Sequence, residues 1–334
     1  MRVHAFLLVL VGCVPVDEAD DPSEERPPPT AGASTLAGWS VAGYVDGPRD
    51  VNLFSNPVGV AVGDGGIVYV ADFDNGKIRA VDRDGTASTV FGPPGFTRPF
   101  AITAAVGALF VATDNDPGAA HGPMTGTLWR IDPVAGTGTP IAVRMGRPRG
   151  IAALPDGRLA VADYTHHVIE LVDPVTGAVT PLAGGWDAPG YADGVGSAAR
   201  FDMPYGLVAR SDGSLVVADH ANDRLRVVTL DGAVTTLPVT GLERPQGLAA
   251  TASGDLFVTN TGTFNVVRVR DGVAVPVAGD GSPGYLDQDD PMASRFYGLE
   301  GLAASADGAM LYIADGNRGE VLPYNRVRTV ALPR

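Results

Sequence analysis

The sequence contains little of several residue types on which large classes of protein depend. Cys13 is the only cysteine among 334 residues, so an intramolecular disulfide is excluded and stability must come from packing. Lys77 is the only lysine, and the formal charge of −14 argues against a nucleic-acid surface, which needs clustered positive charge. No long stretch repeats apolar residues at helical spacing, whereas 44 glycines and 27 prolines indicate many turns. The chain is therefore expected to be neither mostly helical nor stabilised by disulfides.

The first thirteen residues combine the features of a secretion signal. After a basic start, the apolar segment 5–11 is too short to span a bilayer as a helix, and small residues lead to Cys13. This start resembles a bacterial lipoprotein signal, in which the peptide is removed before the cysteine and that thiol carries lipid. The alternative is a buried cysteine in an ordinary apolar segment. The resemblance implies a signal at residues 1–12, a lipidated, disordered, acidic and proline-rich tether at 13–33, and a folded domain at 34–334.

The lipoprotein resemblance also implies where the protein resides. A lipid on Cys13 would anchor it stably to a membrane, because two or more acyl chains bury enough methylene groups to hold a protein there. We therefore expect a location in the bacterial cell envelope, at the outer membrane or its periplasmic face.

About six imperfect copies of one phrase fill the rest of the chain. Each copy opens with a Pro-x-Gly-like step and an apolar run, turns at an Asp-Gly pair, and continues as a Val-Ala-Asp phrase before a third and a fourth run. Four antiparallel strands per copy make one propeller blade, and neighbouring blades cover both faces of the apolar second strands. The predicted closing residues of the second strands are Asp72, Asp114, Asp163, Asp219, Asn260 and Asp315. The third strands are predicted to contain Ile78, Trp129, Val168, Leu225, Val267 and Val321.

These copies resemble the NHL-repeat family of six-bladed β-propellers over roughly residues 35–332. The shared features are the opening Pro-x-Gly, the Asp-Gly hairpin, the Val-Ala-Asp ending and, in two copies, Asn75 and Asn222 three residues later. The resemblance implies an all-β fold, a six-bladed β-propeller of four-stranded antiparallel blades. The departures are Leu299 for the opening proline, Ala101 for the glycine and Asn260 for the aspartate.

A second phrase, Gly-Tyr-x-Asp, occurs three times and supports the register of the copies. It begins at Gly43, Gly190 and Gly284, and each time a phenylalanine follows three residues before the opening position of a blade. The sequence does not decide which segment forms the outermost strand of the blade that closes the ring. Residues 35–38 read as a fourth strand that joins blade six, yet residues 328–331 already stand where that blade's own fourth strand should be.

Two sets of positions are predicted to surround one mouth of the central channel. In a propeller, the loops from fourth to first strand and from second to third strand emerge on the same face. The residue between Pro and Gly and the residue after Val-Ala-Asp lie there, and they vary in size and charge while framework positions stay small or aliphatic. The two rings also include Val58, Asn115, Thr261 and Gly316. The predicted binding residues are Phe73, Phe100, Arg149, Tyr164, Tyr205, His220, Gln246 and Glu300.

In this mouth site Arg149 and Glu300 are expected to provide charged contacts, and Tyr164, Tyr205 and Phe100 an aromatic floor. The alternative is an ordinary solvated rim.

No residue is predicted to be catalytic, and no metal site is predicted. Phosphate-binding loops, a nucleophile elbow and a Cys-His pair are all missing from the sequence. The closing aspartates are expected to accept hydrogen bonds from the next backbone amides and to fix a turn. Acidic residues at 72–75 and 287–290 lack the alternating ligands and the distal glutamate of a calcium loop, so no cofactor is predicted and calcium is kept only as an alternative.

Three functions are compatible with these observations. We predict a noncatalytic platform that binds an unknown protein, peptide or glycan in the envelope, because many NHL proteins are interaction platforms. The resemblance to lactonase-like and lyase-like propellers offers a metal-dependent enzyme as the alternative, although Glu300 is the only carboxylate in the inner ring. The third reading is a structural spacer, and the fold alone does not choose among the three.

Overall fold

The computed structural model describes residues 32–118, 120–317, 319 and 324–332. Within these residues the chain forms six antiparallel sheets, five of four strands and one of five. The predicted all-β fold, a six-bladed propeller with four-stranded blades, is confirmed. Cys13, the predicted signal and nearly all of the predicted tether lie outside the described residues, as does Val321.

The strands are numbered in chain order, and each blade is given from the channel outward. Strand β1 (Ala33–Trp39) belongs to blade six. Blade one contains β2 (Pro57–Val62), β3 (Val68–Asp72), β4 (Lys77–Val81) and β5 (Ala87–Phe91). Blade two contains β6 (Pro99–Ala105), β7 (Ala108–Thr113), β8 (Gly126–Asp132) and β9 (Thr137–Met145). Blade three contains β10 (Pro148–Ala153), β11 (Leu159–Asp163), β12 (Val168–Val172) and β13 (Val179–Ala183).

The remaining blades follow the same order. The short strand β14 (Gly194–Val195) adds a fifth, outermost strand to blade four, which contains β15 (Pro204–Ala209), β16 (Leu215–Asp219), β17 (Arg224–Val228) and β18 (Ala233–Leu237). Blade five contains β19 (Pro245–Ala250), β20 (Leu256–Asn260), β21 (Asn265–Arg270) and β22 (Val273–Ala278). Blade six contains β23 (Leu299–Ala304), β24 (Met310–Asp315), β25 (Asn325–Ala331) and, outermost, β1.

The first strands form the wall of the central channel, and glycine lets them approach one another closely. A Cβ atom on Gly59 would collide with the carbonyl oxygen of Phe100 in the next blade. A Cβ atom on Gly301, in blade six, would likewise lie against the carbonyl oxygen of Val58 in blade one. Contacts between β2 and β23 therefore close the ring, and the glycine of the Pro-x-Gly step is required by this backbone packing.

Strand β1 settles the closure that the sequence left open. It pairs antiparallel with β25, from Ala33 opposite Val330 to Trp39 opposite Asn325. Residues 328–331, which read as a fourth strand in the sequence, lie in the third strand, because β25 pairs with β24 on its other side. The amino-terminal strand is thus the outermost strand of the blade whose other three strands come from the carboxyl terminus.

The predicted register of blade two is wrong by one residue. Pro99 pairs with Thr113, just as Pro57 pairs with Asp72, so Thr113 and not Asp114 closes the second strand. Asp114 consequently occupies the position at the mouth that was assigned to Asn115. Asp114 follows an apolar run as the closing aspartates of the other copies do, so it was predicted to close the strand, whereas in this blade a threonine occupies that position.

The second strands are buried, as their unbroken apolar sequences predict, except for Tyr69 in β3 and for Met310 and Tyr312 in β24, which are half-buried. Every residue of β11 and β16 is buried. Because successive side chains point to opposite faces of a sheet, both faces must be covered, and the neighbouring blades supply this cover. The only helices in the described parts of the chain are 3-10 turns at Asp64–Gly66, Gly196–Ala198, His220–Asn222 and Pro291–Ala293. None of them is long and apolar enough to cross a membrane.

Candidate functional site

One mouth of the channel opens into a cavity of about 350 Å³. The first strand of each blade begins beside the end of the second, as Pro57 does beside Asp72, so the residues that follow these two positions reach the same opening. Asn115, Thr261 and Gly316 do not line the cavity. Its lining includes all eight predicted residues, Phe73, Phe100, Arg149, Tyr164, Tyr205, His220, Gln246 and Glu300, together with Asn56, Val58, Arg98, Arg147 and Gly319. The structure brings the eight together, and their role in binding stays a prediction.

Aromatic side chains form a continuous wall on one side of this mouth pocket. The ring centroids of Phe73 and Phe100 are 5.9 Å apart, those of Phe100 and Tyr205 are 5.7 Å apart, and both pairs are T-shaped. Tyr164 meets Tyr205 at 5.9 Å in the same geometry, and His220 lies 5.6 Å from Tyr205. Edge-to-face pairs of this kind hold rings in fixed orientations, so the wall is preorganised.

The predicted charged contact Arg149 is held by an ion pair that sequence reasoning missed. Its Nη1 and Nη2 atoms donate to the two Asp114 carboxylate oxygens at 2.8 and 3.1 Å, and Arg147 Nη2 donates to the same carboxylate at 3.0 Å. Burial alone would raise the pKa of Asp114, but the two guanidinium groups lower it below its ordinary value. The Arg149 guanidinium also lies 3.7 Å from the centroid of the Phe100 ring. Asp114 therefore fixes the Arg149 guanidinium, which in turn packs against the Phe100 ring of the pocket wall.

The other polar groups of the mouth pocket come from blades four to six. His220 is buried, and its Nδ1 lies 3.1 Å from the carbonyl oxygen of Pro245. Burial lowers the pKa of His220, so the imidazole is neutral at pH 7. Gln246 and Glu300 are half-buried, and Gln246 Oε1 has no hydrogen-bond partner among the described residues. This unpaired acceptor atom is itself buried beneath the surface of the pocket.

The closing aspartates accept hydrogen bonds from backbone amides, but most of these amides precede the first strand of the blade, whereas the amides that follow the aspartate were predicted. Asp72 Oδ1 accepts from Ser55 N at 2.8 Å, and Asp219 Oδ1 accepts from Asp202 N at 2.8 Å. Both donors precede the first strand of the blade, because the end of the second strand lies beside that loop. Among the closing aspartates, and within the described residues, Asp163 alone also accepts from the amides that follow it, those of Thr165 and His166.

Three buried arginines explain why the Gly-Tyr-x-Asp phrase recurs. In blade four, Arg226 donates to Asp219 in the second strand and to Asp193 of the phrase, at 2.7 Å each. The same guanidinium lies 5.1 Å from the ring centroid of Tyr191 and 5.2 Å from that of Phe201. Arg79 in blade one and Arg328 in blade six make the equivalent contacts. We call these the arginine clusters; the sequence signal for them is an arginine seven residues after Asp72 and Asp219.

The arginine clusters occupy the places where calcium was considered. Asp72 binds Arg79 and Asp287 binds Arg328, so a cation at either aspartate would compete with a buried guanidinium. Among the described residues, no group of three or more His, Cys, Asp or Glu side chains is arranged to hold a metal ion.

Known proteins resemble this chain in sequence and in fold. The NHL repeat family model matches residues 54–80, which run from Phe54 into the third strand of blade one. SUPPRESSOR OF QUENCHING 1, a chloroplastic protein of Arabidopsis thaliana, is 30% identical over 199 residues. The matched region covers 58% of this chain and 16% of the plant protein.

Solved structures extend the likeness over the whole propeller. A protein of unknown function from Bacteroides thetaiotaomicron has a TM-score of 0.69 at 16% identity, over 90% of this chain and 75% of that one. An auxiliary nutrient binding protein from Bacteroides ovatus has a TM-score of 0.67 at 16% identity, over 90% and 76% of the two chains. Streptogramin B lyase gives 0.58 at 13% identity, over 90% and 97%. At these identities the likeness shows the fold, and the chain is a six-bladed β-propeller whose first blade matches the NHL repeat model.

Proposed function

We propose that this protein is a noncatalytic binding protein of the cell envelope whose mouth pocket holds a small ligand or the terminal group of a larger one. One observation carries the proposal. The positions that differ most between the blades converge on a single cavity of about 350 Å³ with a preorganised aromatic wall. Repeated framework positions are explained by folding, whereas this convergence of unlike residues is typical of a ligand site.

The opposite end of the channel provides an internal comparison. A cavity of about 310 Å³ opens there, and the side chains that line it are almost all alanine, valine, leucine and isoleucine. A narrower space of about 70 Å³ separates the two ends. The two openings are of similar size, but only the mouth pocket offers charges, amide oxygens and aromatic rings that could orient a ligand.

The comparisons support binding without deciding the chemistry. The Bacteroides ovatus neighbour is a nutrient binding protein, and the streptogramin B neighbour is a lyase, both on the same fold. A metal-dependent lyase-like or lactonase-like enzyme is therefore the second candidate function, and it predicts that a bound compound is converted.

Binding without turnover is tested by equilibrium dialysis against the small molecules of the native host, followed by mass spectrometry. We expect at least one compound to be concentrated by the protein and to be recovered chemically unchanged after prolonged incubation. Heat-denatured protein serves as the control for nonspecific retention. Conversion of the compound, with or without added divalent metal, would favour the enzyme, and retention of nothing would contradict a ligand-binding function.

Anchoring to the envelope is the other part of the proposal, and it rests on Cys13, which lies outside the described residues. We expect the protein expressed in a bacterial host to partition into the detergent phase, because several acyl chains on one cysteine hold a protein in a membrane. The Cys13→Ala variant should remain in the aqueous phase. Detergent partition of both forms, or of neither, would contradict lipidation of this residue.

A further inference from the structure

The wall of the mouth pocket that blades two and three form carries positive charge. Arg98, Arg147 and Arg149 line it, whereas Glu300, across the opening, is the only carboxylate among the lining residues. Asp114 pairs with Arg147 and Arg149 from behind the wall, and Asp74 lies near Arg98. The wall therefore presents guanidinium groups to the opening while their carboxylate partners lie outside its lining, which favours an anionic group on a ligand.

Two of these arginines have side chains that are exposed or partly exposed at the opening. Arg98 is exposed, and its guanidinium lies 5.6 Å from the centroid of the Phe73 ring. Arg147 is half-buried and donates from Nη2 to Asp114, while its Nε has no hydrogen-bond partner among the described residues. That Nε atom is itself buried, so a ligand would reach Arg147 through the exposed part of its side chain, 36% of which is accessible. Arg149, in contrast, already has both Asp114 oxygens as acceptors.

The aromatic wall begins directly beside these guanidinium groups. Phe73 lies under Arg98, and the rings of Phe100, Tyr205 and Tyr164 continue from it around the opening. An apolar or ring-shaped body would pack on this wall while its anionic group binds the arginines.

We propose that the mouth pocket recognises a small carboxylate attached to a compact, ring-bearing body. Arg98 and Arg147 bind the carboxylate, and Phe73, Tyr164 and Tyr205 contact the body. This inference rests on the proposed binding function and names the class of ligand for the same site.

The experiment uses two probes of nearly the same shape, 3-phenylpropionate and its neutral amide, 3-phenylpropionamide, titrated into the full chain by calorimetry. We expect the acid to bind about tenfold more tightly than the amide, because charge-assisted hydrogen bonds to arginine are lost in the amide. The double variant Arg98→Gln/Arg147→Gln should reduce this preference to less than about threefold. It leaves Arg149 on Asp114, so the ion pair behind the wall is retained. The matched control, Arg130→Gln/Arg270→Gln, removes two exposed arginines away from the mouth and should keep the preference.

The outcomes separate this inference from the proposed function. Equal affinity for acid and amide, or a preference that survives loss of Arg98 and Arg147, would overturn carboxylate recognition while binding at the mouth stands. Failure of both probes to bind would also overturn it, and dialysis that still retains a compound would show that only the ligand class is wrong. If dialysis retains nothing either, the proposed function fails as well.

Discussion

Replacing Arg226 with methionine is expected to lower the free energy of unfolding by about 3–5 kcal/mol, because the change leaves a buried carboxylate without its cation. Arg226 and Asp219 are both fully buried and 2.7 Å apart. Burial already raises the pKa of Asp219, and Arg226 is one of the groups that oppose this rise. Methionine preserves much of the packing against Phe201 and Tyr191, so the loss of stability reports mainly the missing positive charge beside Asp219. Urea denaturation at pH 7 followed by circular dichroism gives the value.

Two further variants show whether the uncompensated charge of Asp219 causes the loss of stability in Arg226→Met. Arg224→Met changes an exposed arginine on the same strand and should cost less than about 1 kcal/mol, the value of its contact with the Tyr191 ring. Adding Asp219→Asn to Arg226→Met removes the stranded charge but keeps an acceptor for Asp202 N. This double variant should recover at least half of the free energy of unfolding that Arg226→Met loses. A cost below about 1 kcal/mol for Arg226→Met would show that the arginine cluster does not stabilise the blade.

Blade three should contribute a pH dependence of its own to the stability, because Glu170 stands at the position of Arg79. Val161 pairs with Glu170 as Val70 pairs with Arg79. Glu170 and Asp163 are both buried, and Glu170 Oε2 has no hydrogen-bond partner among the described residues. Burial, reinforced by the charge of Asp163, raises the pKa of Glu170 from 4.5 to about 7.

The direction of the pH effect follows from that raised pKa. Between pH 4.5 and 7 the folded protein holds a proton on Glu170 that the unfolded chain has released, so stability falls as pH rises through this window. The difference amounts to about 3 kcal/mol at pH 8. Glu170→Gln cannot ionise, so we expect it to be more stable than wild type by up to that amount at pH 8 and similar to wild type near pH 4.5. Urea denaturation of both proteins across this pH range provides the measurement.

The comparison between variants isolates Glu170 from other groups that titrate. Burial also raises the pKa of Asp72, to about 6, which gives wild type and variant the same additional slope. Glu243→Gln, at an exposed position, is the matched control and should leave the pH dependence unchanged. If the difference between Glu170→Gln and wild type does not grow between pH 4.5 and 8, the carboxylate is not the source of a pH-dependent penalty.

Much of the fold can be predicted from the sequence because each blade repeats the same turn residues and the same apolar runs. The Pro-x-Gly step at Pro57 and Pro204 places the channel strand, and the apolar run that follows must be covered on both sides. The mouth residues were predictable for the same reason, since positions such as Tyr205 and Tyr164 have equivalents in every blade. Six copies of the pattern predict six blades around one axis, and equivalent positions in the blades then lie at the same end of the channel.

What escaped prediction depends on contacts between segments that the repeat does not relate. Asp114 binds Arg149 of the next blade, and a one-residue error in the register of blade two hid it. The arginine clusters join a strand to a loop 33 residues earlier in blades one and four and 41 residues earlier in blade six, as Arg226 joins Asp193 and Arg328 joins Asp287. The order of β1 and β25 could not be derived, because both segments have the composition of an outer strand and only pairing distinguishes them.

Binding at the mouth pocket is tested most directly by measuring the dissociation constant of a compound that dialysis retains, for wild type and two double variants. Tyr164→Ala/Gln246→Ala truncates two half-buried side chains of the mouth pocket, and Thr103→Ala/Val208→Ala truncates two half-buried side chains at the opposite opening. With both variants folded by circular dichroism, the mouth variant should bind at least about tenfold more weakly and the other within about twofold of wild type. Weaker binding only in the variant of the opposite opening, or equal binding by all three proteins, would contradict a ligand site at the mouth.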